Sequence, residues 1–177
     1  MIMKRVDLLI KDELYNQYLQ RNMEEEKEPK FCQHDFRHHL DVARIAYILV
    51  LEHNDLNYFV QEHGLAGRLA AKEVIYAAGL LHDIGKWQEY KAGVDHASFG
   101  AKLAREILPR AFFNPHEVEL IARAVYEHRN ICSTMTFLGE RLHRADNLAR
   151  ICNKCEYNAD CPKKRHKREI TTSSLEY

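Results

Sequence analysis

The sequence has little from which to build turns. Of its 177 residues only 7 are Gly and 4 are Pro, too few for the many tight connections of an all-β fold. It has no surplus of charge either. Lys plus Arg and Asp plus Glu number 26 each, so no global field draws the chain to nucleic acid or an acidic membrane, and an anionic substrate must be held locally. No apolar run approaches the ~20 residues that cross a bilayer. The longest, residues 45–51, is far shorter, and the charged residues 1–12 lack the apolar centre of an export signal. A cytoplasmic protein is expected. The 5 Cys, an odd number, argue for reduced thiols or a metal site and against a disulfide framework. Neither an internal repeat nor an alternating strand pattern is present.

What the sequence does have is His, 11 residues, and apolar residues at helical spacing. Its length suits one domain with a substantial core, and the pattern predicts an all-α bundle of about six to seven helices. Residues 4–27 read as one helix. Residues 35–53 place Val42, Ile45, Ala46 and Leu49 on one face. A short helix fits residues 55–62, stopped by Gly64, and an Ala- and Leu-rich one fits residues 68–82, with Gly85 as a left-handed terminator. Residues 86–94 read as a loop. Asp95 caps a helix to about residue 108. Asn114, Pro115 and Glu117 supply an N-cap, a first-turn proline and a capping-box acid for a helix to about residue 128. The last helix runs from Thr134 or Thr136 to about residue 152.

Several ionisable residues fall on these apolar stripes, where a polar group must find a partner. His38 lies one turn before Val42. His82 continues Ile75, Ala78 and Gly79, and His128 continues Ile121, Ala124 and Val125. Asp146 sits between Leu142 and Ala149. A lone His on an apolar face is ordinarily a hydrogen-bonded core residue, but a buried, uncompensated carboxylate costs several kcal/mol. A divalent cation removes that cost, and a mixed N/O donor set suits Fe, Mn, Zn, Co or Ni. Adjacent side chains on a helix diverge by about 100°. The pair His82-Asp83 therefore reaches one ion only where the helix ends.

In this context the residues resemble the HD phosphohydrolase superfamily. The first His followed by an apolar residue and Val-Ala is met by His38, Leu40, Val42 and Ala43; the middle motif by residues 81–86; and the closing Asp by Arg144-Ala145-Asp146-Asn147-Leu148. The resemblance spans residues 36–150. It implies an all-α HD domain and hydrolysis of a phosphoester or phosphoanhydride in a nucleotide or other small phosphorylated molecule. His96 and His128 look like the added ligand positions of two-metal HD enzymes, including the bacterial family that cleaves diadenosine tetraphosphate. The implied arrangement has His38, His82, Asp83 and Asp146 on one ion and Asp83 bridging to a second held by His96 and His128. The alternative is a single-metal core in which His96 and His128 are structural or meet substrate phosphate.

Coordination would lower the pKa of water from about 16 toward about 7, so few other catalytic groups are needed beyond Asp83. Lys86 is a candidate phosphate contact, against a solvated loop lysine, and Arg129 and Arg150 are candidate clamps, against surface or supporting roles. Cys152, Cys155 and Cys161 follow the last helix. They fit a structural zinc or iron-sulfur site completed by Cys32, Cys132 or His166, or else unligated or redox-active thiols. The basic run 163–168 within the tail 151–177 reads as solvated. His39 is expected to face away from His38, as a supporting or surface residue. His34, His53, His63, His116 and His143 have no assignment. Ser133 and Thr134 lack the base and orienter of a Ser-His-Asp hydrolase. A nucleotide-binding regulatory module with weak or no turnover, and a di-iron oxygenase, are the competing readings.

Overall fold

The structure, a computed structural model, describes residues 2–27 and 33–150. Nine α-helices and one 3-10 turn make up the regular structure of these residues, with no strand among them: α1 (Lys4–Lys11), α2 (Glu13–Glu25), α3 (Phe36–Glu52), α4 (Leu56–Glu62), α5 (Arg68–Leu81), α6 (Lys86–Ala92), α7 (His96–Ile107), the turn Leu108–Ala111, α8 (Pro115–Glu127) and α9 (Phe137–Leu148). The architecture is the expected all-α one. No described helix is long and apolar enough to cross a membrane.

The core lies between α3, α5, α7, α8 and α9. Helix α3 packs along α5, α7 along α8, and α9 closes against both α3 and α8. Val42, Ala46 and Leu49 of α3, Ile75 and Ala78 of α5, Ile121 and Val125 of α8 and Leu142 of α9 have no solvent exposure. These are the residues of the predicted stripes. Each stripe is apolar because water is excluded from the shared interior, and His38, His82, His128 and Asp146 enter that interior with it.

The caps are also where the sequence places them. The Asn114 side chain accepts from the Glu117 amide and the Glu117 carboxylate accepts from the Asn114 amide, both at 3.0 Å, closing the capping box of α8. The Asp95 side chain accepts from the Ser98 amide at the start of α7, and that of Thr136 from the Gly139 amide at the start of α9. Of the two starts considered for the last helix, the second is the one observed.

Three local expectations are corrected. Residues 4–27 form two helices, because the Asp12 carboxylate accepts from the amides of Leu14 and Tyr15 and starts α2. A mid-helix Asp competes with the helix for exactly such amides. Residues 86–94 are mostly helix, not loop. Trp87 anchors α6 between Tyr18 of α2 and Phe99 of α7, with ring centroids at 6.3 and 5.7 Å. Gly85 is not left-handed; its φ is −92°. It is required instead by proximity, since a Cβ there would lie 2.8 Å from both the Gly100 amide nitrogen and the His96 carbonyl oxygen. The left-handed terminator is Gly93, φ 65°, after α6. With α1 separate from α2 and α6 added, the described helices exceed the expected number.

Helix α1 is held by charge. The Arg5 guanidinium donates to Glu73 of α5 at 2.7 Å and to Glu117 of α8 at 2.6 Å, and it lies 4.4 Å from the centre of the Phe113 ring.

Candidate metal centre

The site forms at the end of α5. Helix α5 ends at Leu81, His82 is its C-cap and opens the turn that runs to Gly85, and the turn aims His82 and Asp83 inward. Helix α3 contributes His38 from its first turn, α7 contributes His96 as its first residue, α8 contributes His128 at its C-cap, and α9 contributes Asp146.

Two sets of atoms share Asp83. In the first, His38 Nε2 lies 3.2 Å from Asp146 Oδ1 and 3.9 Å from Asp83 Oδ2, while His82 Nε2 lies 3.0 Å from Asp83 Oδ2 and 3.7 Å from Asp146 Oδ1. In the second, Asp83 Oδ1 faces His96 Nε2 at 2.9 Å and His128 Nε2 at 3.6 Å. Within each set the donor atoms lie within 4.8 Å of one another. Ligands bonded at about 2.0–2.2 Å to one ion are separated by at most about 4.4 Å, and the 2.9–3.9 Å separations above fit within that limit. The side chains of Asp146 (14% exposed) and His38 (10%) are the most accessible of the six, which places the first set nearer solvent.

The chemistry of the donors fits a cation. Nε2 of His38, His82, His96 and His128 and Oδ2 of Asp83 are buried with no hydrogen-bond partner, an arrangement that costs about 1–3 kcal/mol per orphaned group unless something binds them. The opposite ring edges are occupied. His82 Nδ1 donates to the Gly79 carbonyl at 2.8 Å and His128 Nδ1 to that of Val125 at 2.5 Å. His96 Nδ1 donates to the Glu89 carboxylate at 2.5 Å. Carbonyl and carboxylate oxygens only accept, so Nδ1 carries a proton in each ring and Nε2 is the nitrogen left to bind a cation.

Electrostatics agrees. Burial opposes charge on Asp83, yet His82, His34 and His96 hold its carboxyl well below the usual range. Burial likewise opposes Asp146, and Arg150, His38 and His82 outweigh it. Burial disfavours the His82 imidazolium, but the two carboxylates push that group up to about 10. The pocket draws positive charge to itself, and burial keeps His38 and His128 below their ordinary value, as neutral donors.

The other nominated residues are placed as follows. Lys86 is buried at the first turn of α6, its ammonium paired with the Glu89 carboxylate and 3.3 Å from His96 Nδ1. Arg129 is partly exposed and lies 3.8 Å from Glu89. Arg150 meets Asp146 Oδ1 through Nη2 at 2.6 Å, one turn along the chain. His39 is fully buried, donating from Nδ1 to the Leu80 carbonyl at 2.8 Å with its ring 5.2 Å from that of His82; it supports the site and is not a surface residue. Cys132 is exposed, with its thiol 3.3 Å from the Thr134 hydroxyl. Cys32, Cys152, Cys155, Cys161, His166 and the basic run 163–168 lie outside the described residues.

Sequence reasoning missed three neighbours. His34 is buried, held through Nδ1 by Glu26 at 2.5 Å, with Nε2 3.5 Å from Asp83 Oδ2. Glu89 holds His96. Asn22 of α2 donates to the Asp83 carbonyl and accepts from the Trp87 amide. His34 and Glu89 lie on no apolar stripe, so periodicity carries no signal for them, whereas Asn22 continues the buried face of Tyr15 and Leu19 and could have been found as a polar group on it.

These features define a helical His/Asp cluster that could hold a metal ion, and comparison with known proteins gives its class. The HD domain family model matches residues 35–156. The chain belongs to that family, whose members are metal-dependent phosphohydrolases. An uncharacterized protein of Clostridium beijerinckii is 35% identical over 159 residues, 90% of this chain and 92% of that protein. Ribonuclease Y of Lactobacillus gasseri is 27% identical over 113 residues, 61% of this chain but 19% of that protein. A bifunctional uridylyltransferase/uridylyl-removing enzyme of Bradyrhizobium diazoefficiens is 39% identical over 75 residues, 39% of this chain and 8% of that enzyme. The match thus spans nearly all of the Clostridium protein but a small part of the ribonuclease and of the uridylyltransferase. No solved structure matches it.

Proposed function

We propose that this protein hydrolyses a phosphoester or phosphoanhydride bond in a nucleotide or another small phosphorylated molecule at a two-ion centre. One observation carries the reading: the two oxygens of Asp83 face separate ligand sets, Oδ2 toward His38, His82 and Asp146 and Oδ1 toward His96 and His128. His38, His82, Asp83 and Asp146 would hold the first ion, and His96 and His128 with Asp83 the second. Bound divalent ions supply Lewis acidity toward phosphoryl oxygens and a water acidic enough to attack at neutral pH.

The protein's own groups orient and neutralise. Asp83 is kept ionised by the histidines around it. Gly79, Val125 and Glu89 fix three imidazoles in the orientation that binds a cation. Arg150 balances the charge of Asp146 and holds it toward the centre. Arg129, the more exposed cation at this edge, is placed for an anionic substrate group. The relatives named for cleaving ribonucleic acid and for removing uridylyl groups support a nucleotide substrate. The balanced charge of the chain favours a small one over a polymer.

The test is a panel of mononucleotides, dinucleoside polyphosphates, a short RNA and non-nucleotide phosphoesters, assayed after loading with Mn, Fe, Co, Ni or Zn, with metal content measured on the same samples. Turnover of a nucleotide that disappears on chelation and returns with metal is the expected result. A metal-loaded chain inert on the whole panel would overturn the enzyme reading.

A further inference from the structure

The second ligand set is poor in negative charge. It has two imidazoles and a share of Asp83, whereas the first has two carboxylates. It also stands beside a cation, because the Lys86 ammonium lies 3.3 Å from His96 Nδ1. His96 is therefore the one proposed ligand whose outer nitrogen has two competing partners, and the two demand opposite states of the ring. A carboxylate can only accept, so Glu89 requires the proton on Nδ1. An ammonium can only donate, so Lys86 would require the lone pair there and, in a neutral ring, the proton on Nε2. In the second state Nε2 has no lone pair for a metal ion.

Glu89 decides between them. Its Oε2 accepts the hydrogen bond from His96 Nδ1 at 2.5 Å and also pairs with Lys86, while Oε1 faces Arg129 at 3.8 Å. We infer that Glu89 is a positioning residue for the second ion: it selects the His96 tautomer that presents Nε2 to the metal and keeps the Lys86 ammonium from selecting the other. This rests on the two-ion reading above. It gives Lys86 a place inside the support of His96 rather than an open position on substrate phosphate.

The experiment titrates metal-free full-length protein with Mn2+, reading stoichiometry and both affinities by calorimetry and free-Mn2+ electron spin resonance. The wild type is expected to bind two ions per chain. Glu89→Ala should keep the first affinity and weaken the second by about 10–100-fold, the range seen when a ligand imidazole loses its outer partner. Glu89→Gln, whose amide oxygen still accepts from Nδ1, should stay within a few-fold of wild type. Adding Lys86→Met to Glu89→Ala should recover most of the loss, because the competing donor is gone; a merely structural role for Glu89 would give no such rescue. A Glu89→Ala chain that binds the second ion like wild type, or a double variant no better than the single one, overturns the inference while two-ion binding stands. A wild-type chain that takes up one ion overturns the two-ion reading and this inference together.

Discussion

Asn22 holds Asp83 from behind. Its side-chain nitrogen donates to the Asp83 carbonyl at 2.9 Å, while its oxygen accepts from the Trp87 amide at 2.8 Å. One side chain from α2 thereby ties down both ends of the turn between α5 and α6, the turn that presents the shared carboxylate. Both bonds are buried; without Asn22 the Trp87 amide loses its partner, while the Asp83 carbonyl still accepts from the Lys86 amide at 3.0 Å.

Asn22→Ala should therefore destabilise the protein by about 1–3 kcal/mol, the cost of one orphaned buried amide. Metal affinity should fall with it, since the turn no longer holds Asp83 in place. Urea unfolding at saturating and at zero Mn2+ checks both. Stability and metal affinity equal to wild type would show that the turn holds itself.

Removing metal should lower stability as well as activity. A ligand that binds only the folded chain contributes about 2.7 kcal/mol at a hundredfold excess over its Kd, so chelation should lower the melting temperature and added Mn2+ should restore it. His82→Ala should bind little metal, show no turnover, and melt at the same temperature with or without Mn2+. Retained metal and turnover in that variant would refute the placement of His82 at the centre.

Tyr15 points to a pH effect far from the site. Its hydroxyl is buried without a hydrogen-bond partner, and burial raises its pKa above the ordinary 10.0. The folded chain thus holds this proton more tightly than the unfolded one. The stability involved is fully present below pH 10 and is lost above it by about 1.4 kcal/mol per pH unit until the folded group itself ionises. Tyr15→Phe should match or slightly exceed wild type at pH 7 and be clearly more stable at pH 10.8. Urea midpoints at the two pH values decide; parallel behaviour of the two proteins would mean that Tyr15 ionises without cost.

Arg5 joins the first helix to the core. Glu73 and Glu117 are both buried, 5% and 3% exposed, and both rely on its guanidinium. Breaking a buried pair by removing one partner costs about 3–5 kcal/mol, so Arg5→Ala should fall in that range, whereas Arg105→Ala, whose bidentate pair with Glu119 is exposed, should cost less than about 1 kcal/mol. Chemical denaturation of both variants measures the contrast. Equal small losses would mean that the glutamates find other partners.

Much of the fold was legible because burial writes a period into the sequence. The stripes on α3, α5 and α8 follow from the exclusion of water from one helix face, and the caps at Asn114 and Asp95 follow from local backbone chemistry; both need only neighbouring residues. His38, His82, His128 and Asp146 were visible for the same reason, as ionisable groups on apolar faces, and the structure brings them together. What escaped were features that depend on a second element. Helix α6 looked like a loop because its burial depends on Tyr18 and Phe99, and Gly85 looked like a left-handed terminator because its real constraint is the backbone of α7.

The sequence alone determined most of the helices, many of their ends and the donor groups turned inward, since these follow from interactions within a few residues of chain. Only the tertiary structure decided that Asp83 divides its two oxygens between two sets, that Glu89 and Lys86 compete for one imidazole, and that Asn22 and His34 stand at the centre. Those facts are distances between segments far apart in sequence, set by how helix faces pack, and no local pattern encodes them.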